Sequence, residues 1–521
     1  MTRPAPFALA WRALFCLVLP SFALAAQEGS EDPATPQEPV GKSSAAIRML
    51  EGPRRELPIS LDSALTLAET NNLGLILEDI TTEVARFDAL GSWGEFDWVL
   101  GANVRYTDFE RKPSAVVEGL VVQEGDVESY ELSLARALET GGSFQTIFNA
   151  NQTTSTSANQ FAPTQTESEL RFVFTQPILR GGGIDRGTNE QRESEVLYLQ
   201  QLERRRQVLQ QLLRDTANAY WDLVQTREQV EVARKSLELG LEQRERNQRL
   251  LDAGVGTEVE VIQAEAEVAS REEVLLLAEV NLRNAGDGLK TILFPGKDVE
   301  SWDTRLVPTT EVPVDVSTGD VPLWTSAFDV AVLSRPELLQ QQLQIQIAEL
   351  RHERAINDRR AGLDFDAGLT SQGLTQGFGD SLEEALDFEF LTWTAGVSLD
   401  APIQNRTRAY SERSARAQLR AAHVGMEQVE TQVVAEVRDA VRQLHYSSLA
   451  VSAAQESKRA AERQLDAEMA RYENDLSTNF QVLEFQLALI QAVNNELISR
   501  VNFAKAEFQL EAAQGTLGER P

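Results

Sequence analysis

The side chains that could carry out chemistry in this chain are mostly carboxylates. Its 521 residues include 80 Asp and Glu against 49 Lys and Arg, which gives a formal net charge of −31. Cysteine and histidine are sparse, being Cys16, His352, His423 and His445. A single cysteine cannot form a disulfide within the chain, and a Cys/His metal site is not expected with so few ligands. Nucleic-acid binding is not expected either, because it requires clustered cations.

No catalytic or cofactor-binding motif emerges from these residues. Gly181, Gly182 and Gly183 precede a predicted helix, as in some phosphate-binding loops, but Arg186 stands where a dinucleotide motif needs its third glycine. A phosphate loop would also need a lysine where Thr188 is found. We therefore predict a flexible joint between a strand and a helix at this place. No catalytic residue, cofactor or metal is predicted anywhere in the chain.

The elements that position the carboxylates begin after an export signal. Arg3 and Arg12 precede a short apolar run that ends at Pro20, and Ala23-Leu24-Ala25 has the small-x-small pattern of a cleavage site. Residues 1–25 are therefore predicted to be a signal peptide, since an uncleaved anchor needs about 20 apolar residues. Residues 26–58, rich in proline and acids, are predicted to form an N-terminal leader whose first part has no stable structure.

Proline placement divides the remaining chain into two similar halves. No proline lies between Pro177 and Pro295 or between Pro402 and Pro521, and both blocks are rich in helix-forming residues. Near the middle of the blocks, residues 253–262 align without gaps with residues 474–483. This matched spacing indicates an internal duplication.

Each proline-free block is predicted to be a long helical hairpin. Apolar residues recur about every seven positions, as in a coiled-coil seam: Leu202, Leu209, Leu223, Val230 and Leu237 in the first block, and Val433, Val437, Val441, Leu444 and Val451 in the second. A helix from about residue 185 to 251 would span roughly 100 Å. Glycines at 254 and 256 mark the first turn, and residues 475–478 mark the second.

Alternating apolar and polar residues predict six strands, four before the first hairpin and two before the second. They are residues 98–107, 130–138, 143–150, 169–176, 363–369 and 391–400. Strands that are apolar on one face and polar on the other suit a lipid-spanning barrel, although a soluble sheet shows the same alternation. The membrane interpretation is preferred, because a soluble fold has little use for strands that lead into 100 Å helices. Open strand edges are not tolerated in lipid, so several chains would share one barrel.

The order of these elements resembles that of the TolC-like outer-membrane efflux proteins. The resemblance covers residues 61–515 and includes Gln-Pro-Ile-Leu-Arg-Gly-Gly-Gly at 176–183 before the first hairpin. Residues 255–264 are similar to the family's hairpin-tip motif, and Val482-Leu483-Glu484 is similar to its second copy. The resemblance implies an α+β membrane protein, a trimeric transmembrane β-barrel continued by a long periplasmic α-helical tunnel and built from two internal repeats. Such proteins are channels of efflux or secretion systems and are not enzymes.

The same resemblance implies the domain boundaries and the partners. The first repeat would occupy residues 59–293, a bridge 294–335, the second repeat 336–515 and a C-terminal tail 516–521. The expected partners are two further copies of the chain, outer-membrane lipid, a periplasmic adaptor protein and an inner-membrane pump. The family commonly has two strands in each repeat. The additional hairpin at 130–150 would therefore either enlarge the barrel or extend beyond the membrane.

Functional residues are implied at the two hairpin tips, which would be the periplasmic end. The candidates for an acidic constriction are Glu260, Glu484 and Asp475, while Gln481 stands where an acid is often found. The candidates for adaptor docking are Gly254, Val255, Gly256, Leu476 and Ser477, because small or apolar tips let another helical hairpin approach closely. The simpler interpretation is that the acids are solvated helix residues and that the glycines serve the turn alone.

Two other classes of protein compete with the channel. A periplasm-spanning coiled-coil structural protein would explain the helices but not the paired strands. A periplasmic adaptor would have one hairpin flanked by compact β domains, whereas two hairpins, each preceded by strands, are predicted here.

Overall fold

The computed structural model describes residues 56–111, 123–155, 162–294, 296, 302–313, 321–474 and 476–518. The predicted signal peptide, most of the leader, part of the bridge and Asp475 lie outside the described residues. The helices are α1 (Leu61–Asn71), α2 (Leu73–Ser92), α3 (Ile184–Gly187), α4 (Asn189–Asp252), α5 (Glu258–Leu293), α6 (Trp324–Ser334), α7 (Pro336–Asp358), α8 (Phe378–Leu386), α9 (Arg406–Glu473) and α10 (Asn479–Gln514). The strands are β1 (Glu56–Ile59), β2 (Val99–Arg111), β3 (Gln123–Ala137), β4 (Ser143–Ser155), β5 (Thr164–Pro177), β6 (Arg305–Pro308), β7 (Gly362–Thr375) and β8 (Phe390–Asp400).

Two long helical hairpins dominate the fold, as the sequence predicts. Helices α4 and α9 have 64 and 68 residues, so each spans roughly 100 Å at 1.5 Å per residue. Their return helices α5 and α10 have 36 residues each. The first long helix is interrupted once at its start, where Thr188 separates α3 from α4. No helix among the described residues has an apolar stretch long enough to cross a bilayer.

The coiled-coil seam is confirmed in α9 but only in part of α4. Val433, Val437, Leu444 and Val451 are all buried in α9. In α4, Leu223 and Val230 are buried, whereas Leu237 is only partly covered. Towards the tip the buried positions of α4 become small or polar: Ala233, Ser236, Gly240, Gln243 and Asn247. The leucine grid therefore predicts the wrong contact face there, because this half of α4 is packed through small and amide side chains.

The two predicted repeats pack against each other through their helices. In the second repeat, α7 packs against both α9 and α4, and α10 likewise packs against both. In the first repeat, the corresponding helices α2 and α5 pack against α4. Where the hairpins meet the rest of the chain, the buried Tyr220 donates a hydrogen bond to the carbonyl of Ile59 at 3.1 Å and accepts one from the amide of Thr310 at 3.0 Å. This contact ties the start of the first repeat to the bridge, where β1 and β6 pair in parallel.

The six predicted strands form one antiparallel sheet in the order β2-β3-β4-β5-β7-β8. Each has 11 to 15 residues. The register aligns apolar residues across all six strands in two rows on one face: Leu100, Leu134, Thr146, Phe172, Leu369 and Trp393, then Ala102, Leu132, Phe148, Leu170, Ser371 and Leu391. The neighbouring row on the opposite face is Asn103, Glu131, Asn149, Glu169, Gln372 and Phe390. At the level of these rows one face of the sheet is mainly apolar and the other largely polar. Farther from the helices the first face becomes polar, with Glu128 and Gln152 in one row and Asp126 and Thr154 in the next.

The glycine-rich joint before α4 is tightly packed. The turn between β3 and β4, with Gly141 in the left-handed region at φ 82°, lies against it. A Cβ on Gly187 would lie 1.9 Å from the carbonyl oxygen of Glu139, and a Cβ on Gly141 would lie 2.0 Å from that of Gly181. The amide of Gly183 also donates a hydrogen bond to the carbonyl of Thr140 at 3.0 Å. The prediction of a flexible joint is therefore wrong, because these glycines permit a close backbone contact.

Candidate functional site at the hairpin tips

The first tip is a five-residue turn closed by backbone hydrogen bonds. Helix α4 ends at Asp252, and Gly254 then adopts the left-handed conformation at φ 77°. The amides of Val255 and Gly256 donate to the carbonyl of Leu250 at 3.0 and 2.9 Å. Gly256 also packs too closely on this last turn for a side chain, since a Cβ would lie 2.9 Å from the amide nitrogen of Leu251. Both predicted turn glycines thus have a conformational role.

The return helices of both tips begin with the same cap. Thr257 and Thr478 are the N-caps, and each hydroxyl accepts a hydrogen bond from the amide three residues later at 3.4 Å. In return, Glu260 and Gln481 accept from the amides of these threonines, at 3.0 and 3.4 Å respectively. These are two capping boxes at equivalent positions of the predicted duplication, one with a charged and one with a neutral side chain.

The candidate constriction residues differ in their surroundings. The Glu260 carboxylate is engaged in the first capping box, so one of its oxygens already has a backbone partner. Glu484 lies exposed one turn into α10. Asp475 lies outside the described residues, so the structure does not bring the three predicted acids together as a set.

The candidate docking residues form the outermost surface of the two tips. Val255 is 76% exposed and Leu476 is 68% exposed. Gly254 is also exposed, whereas Gly256 and Ser477 are partly covered. The apolar surface continues onto the first turn of each return helix through Val259 and Phe480, which are both exposed. Each tip therefore presents a valine, leucine or phenylalanine side chain to solvent.

A buried polar network behind the tips joins the two hairpins, and the sequence did not predict it. The Gln243 amide donates to Asn479 at 2.5 Å and to Asn247 at 3.1 Å. The Asn247 amide donates to the carbonyl of Glu260 at 3.1 Å. These contacts connect α4 to both return helices, and they explain why the seam of α4 is polar near the tip.

A second buried polar cluster between the hairpins is centred on Arg271 of α5, which is only 3% exposed. Its guanidinium donates to Glu267 at 2.8 Å, to the carbonyl of Ser236 at 2.8 Å and to Gln486 of α10 at 3.3 Å. Gly240 makes room for this side chain, because a Cβ there would lie 3.0 Å from the Arg271 Cδ. A charge-assisted contact therefore crosses between the hairpins inside the helical layer.

The second tip has its own buried acid, Glu468, which is 4% exposed. Its carboxylate accepts hydrogen bonds from the Ser477 hydroxyl and from Arg471, the latter at 3.1 Å. A sequence signal for this residue exists. Steps of seven from Val437 pass through Leu444, Val451 and Lys458 to Leu465. Glu468 follows three places later, at the end of a row of small residues, Ala440, Ser447, Ala454 and Ala461, where a small or apolar residue is expected.

The tip chemistry is suited to protein contact and to an electrostatic barrier. Within the part of the chain that the structure describes, no cluster of His, Cys, Asp and Glu side chains could hold a metal ion. The groups at the tips include exposed apolar side chains, the partly covered, capped carboxylate of Glu260 and the exposed carboxylate of Glu484.

The chain matches a known family over both repeats. The profile of the outer membrane efflux protein family matches residues 143–293 and 328–516, which together make up more than half of the chain. The chain belongs to this family. The family consists of channels of the bacterial outer membrane that extend into the periplasm, and these channels are not enzymes. A search among curated proteins found no match.

Solved structures of similar proteins share the fold of this outer membrane efflux protein. The outer-membrane channel OprN is 16% identical with a TM-score of 0.63, over 91% of this chain and 92% of that chain. The Campylobacter jejuni CmeC outer membrane channel is 16% identical with a TM-score of 0.65, over 88% and 85% of the two chains. The Neisseria gonorrhoeae MtrE outer membrane channel is 15% identical with a TM-score of 0.61, over 88% and 89%. At these identities the likeness concerns the fold alone.

Proposed function

We propose that this outer membrane efflux protein works as a homotrimeric channel that passively conducts substrates from an inner-membrane pump and its periplasmic adaptor to the cell exterior. The observation that carries the proposal is the continuity of the sheet with the two hairpins. Its apolar face suits lipid and its polar face suits a water-filled interior. Strands β5 and β8 lead directly towards helices of roughly 100 Å, so one wall would continue from the membrane into the periplasm.

A heptad-spaced apolar stripe on α2 supports assembly with further copies. Its side chains are each between 51% and 64% exposed: Leu73, Leu77, Ile80, Val84 and Phe87. Helix α7, its counterpart in the second repeat, fills the space between α4 and α9. Among the described residues, α2 has comparable packing only with α4. Helix α9 of a second copy would supply the missing neighbour, as the duplication of the chain suggests.

The same reasoning applies to the return helix α5. Its counterpart α10 packs against both long helices of the chain, whereas α5 packs mainly against α4. Val274, Leu277 and Val280 of α5 are at least half exposed. Helix α9 of the next copy would cover this face too. Such head-to-tail contacts close into a ring when the rotation permits, and a trimer is the ring that the family resemblance implies.

Strand edges lead to the same arrangement. Strands β2 and β8 are the two edges of the sheet, and β8 is exposed along its whole length. Unpaired edges are not tolerated in lipid, so β8 of one copy would pair with β2 of the next and close a transmembrane barrel. Strand β2 leads away from the helices and β8 leads back to them, so this pairing would be antiparallel, like every other pairing in the sheet. A coiled-coil structural protein would have no use for such a sheet.

The repeat boundaries remain those expected from the sequence. Residues 59–293 would form one unit and 336–515 the other, with 294–335 between them. The equal lengths of α5 and α10 and the matched capping boxes support this division.

At the periplasmic end, the acids would set the entrance. Glu260 and Glu484, with Asp475, would form the constriction, repeated around the threefold axis. The docking surface for the adaptor would comprise Gly254, Val255, Gly256, Leu476 and Ser477. Its exposed apolar side chains support that role, because a partner hairpin would remove them from water.

Assembly and conduction can be tested on one stripe residue. The wild-type protein should fractionate with the outer membrane, migrate as a heat-modifiable trimer and form cation-selective channels in planar bilayers. Ile80→Glu would place a charge in the α2 stripe and should abolish both trimer and channels. Thr81→Glu adds the same charge next to the stripe and should leave both intact. Recovery of the wild-type protein from the soluble periplasm, or a normal trimer in the Ile80→Glu variant, would refute the proposal.

A further inference from the structure

We infer that all six strands of each copy cross the outer membrane, so that three copies close a barrel of eighteen strands. The inference rests on the proposed trimer and concerns the hairpin formed by β3 and β4. This hairpin separates β2 from β5, whereas the equivalent strands β7 and β8 of the second repeat are direct neighbours. A trimer with two strands in each repeat has a barrel of twelve strands, so the barrel inferred here would have six more.

The register of the hairpin carries the first argument. Strands β3 and β4 pair with each other and with their outer neighbours over 12 to 13 residues, which is longer than the roughly 9–11 residues that a tilted strand needs to span a bilayer. Leu132 and Phe148 continue one apolar row without interruption between β2 and β5, and Leu134 continues the other row, in which β4 contributes Thr146. If the hairpin extended into water beyond the membrane, it would not need apolar side chains in the same rows as Leu369 and Trp393.

The opposite face of the hairpin gives the second argument. Glu131 and Asn149 lie side by side in the polar row, between Asn103 and Glu169. A charged residue on the lipid face of a barrel is destabilising, whereas the interior of a barrel is polar. At the level of the apolar rows the hairpin therefore has the same inside and outside as the strands on either side of it. The acids Glu128 and Asp126, on the outer face of β3, would lie beyond this apolar band, at the end of the sheet away from the helices.

Anchoring at the helical end of the sheet gives the third argument. Arg136 at the end of β3 donates to the carbonyl of Phe96 at 2.8 Å and lies over the Trp98 ring at 5.6 Å. The turn between β3 and β4 contacts the glycine joint before α4, where Gln176 donates to the carbonyl of Thr140 at 3.0 Å. The hairpin thus enters the sheet at the same level as the other strands.

At the opposite end of the sheet, α8 holds the hairpin in place. The helix packs across β4, β5 and β7 on the face that carries the apolar rows. Ser381 and Ser168 are hydrogen-bonded at 2.8 Å, and the rings of Phe378 and Tyr130 meet edge to face with centroids 6.0 Å apart. Strand β3 is therefore held at its helical end by Arg136 and near its middle by the ring contact of Tyr130 with α8.

A wider pore is the functional consequence. Barrel diameter grows roughly linearly with strand number, so eighteen strands give a barrel about 1.5 times as wide as twelve strands do. Barrels of 16–18 strands leave an aqueous channel. The membrane part of this duct would accept bulkier solutes than a twelve-stranded barrel, and the helical tunnel would become the narrower section.

Spin labels on single cysteines would test the inference in the assembled protein. Cys16 lies in the predicted signal peptide, so each processed variant would carry one cysteine. Leu132→Cys and Phe148→Cys probe the outer face of the hairpin, and Glu131→Cys and Asn149→Cys are matched inner positions on the same strands. Leu369→Cys and Leu391→Cys probe the strands of the second repeat. The protein is reconstituted in liposomes, and the collision rate of each spin label is measured with two reagents. Oxygen concentrates in lipid, and a nickel chelate stays in water.

The expected result is an oxygen-to-nickel ratio at 132 and 148 that equals the ratio at 369 and 391 and exceeds that at 131 and 149 several-fold. If 369 and 391 contact lipid while 132 and 148 contact water, the hairpin lies outside the membrane and the inference is wrong. If 369 and 391 also contact water, the sheet does not span the membrane and the proposed channel fails as well.

Discussion

Replacing Gly187 with alanine should push the β3–β4 turn away from the joint that leads into α4. In the structure the Gly187 Cα faces the backbone of that turn, with no room for a methyl group. The added Cβ would lie 1.9 Å from the carbonyl oxygen of Glu139 and 2.9 Å from the amide nitrogen of Gly141. Both atoms belong to the backbone, so no side-chain rotation can relieve the clash.

The cost can be estimated from these contacts. Ordinary van der Waals contact begins at 3.4 Å, so the turn must move by about 1.5 Å. Overpacking of this kind costs about 1–3 kcal/mol. The movement would also weaken the two hydrogen bonds to the carbonyl of Thr140, each contributing about 1 kcal/mol. Alanine restricts the unfolded chain and returns about 0.4–1 kcal/mol. A net loss of about 2–4 kcal/mol per copy is expected.

The assay is the temperature at which the purified trimer loses its heat-modifiable migration in detergent. A trimeric membrane protein does not unfold in one two-state step, so the midpoint is compared between variants and is not converted to a free energy. The Gly187→Ala midpoint should fall by several degrees below that of the wild type. The β3–β4 hairpin should also become more accessible to proteases.

Gly379→Ala is the matched control. It makes the same chemical change in the first turn of α8, where a Cβ would meet nothing within 4 Å. Alanine is the better helix former, so the midpoint should stay unchanged or rise slightly. A Gly187→Ala midpoint equal to or above that of Gly379→Ala would refute the idea that the joint is closed by a backbone contact.

Two further predictions concern the tips. The double variant Glu260→Ala and Glu484→Ala should raise single-channel conductance and reduce cation block. The double variant Glu260→Gln and Glu484→Gln should have the same effect on conductance. Its glutamine at 260 should keep the helix cap, because Gln481 makes the equivalent cap in the other tip. Unchanged conductance in a stable trimer would contradict a role in the constriction. Photo-cross-linkers at Val255 and Leu476 should capture the purified adaptor, whereas one at Arg442, exposed in the middle of α9, should not. Equal capture at all three positions would argue against docking at the tips.

The secondary structure was predictable because its signals are local and repeated. Thr257 and Thr478 occupy equivalent places in an ungapped match, and the structure makes both of them N-caps. Alternation located all six strands, although it underestimated the length of most of them. The turn between β3 and β4 follows a local rule too, since a left-handed residue in a hairpin favours glycine and Gly141 has a φ of 82°.

Contacts between distant segments were not predictable in the same way. Arg271 is a charged residue in a helix rich in charge, and only its contact with Gln486, in the other repeat, explains its burial. The seam of α4 was misread near the tip for a related reason. Gln243 and Asn247 look like solvated amides in the sequence, and they are buried only because Asn479 and the Glu260 carbonyl satisfy them.

The backbone contacts at the glycine joint have an evolutionary consequence. The Glu139 carbonyl, in the β3–β4 turn, leaves no room for a side chain at Gly187. The Gly181 carbonyl, in the joint, leaves no room for one at Gly141. A relative that lacked the hairpin would lack the atoms that exclude a side chain at the position of Gly187. We therefore expect the hairpin and this glycine to be inherited together, so that a glycine here would identify family members with the larger sheet from sequence alone.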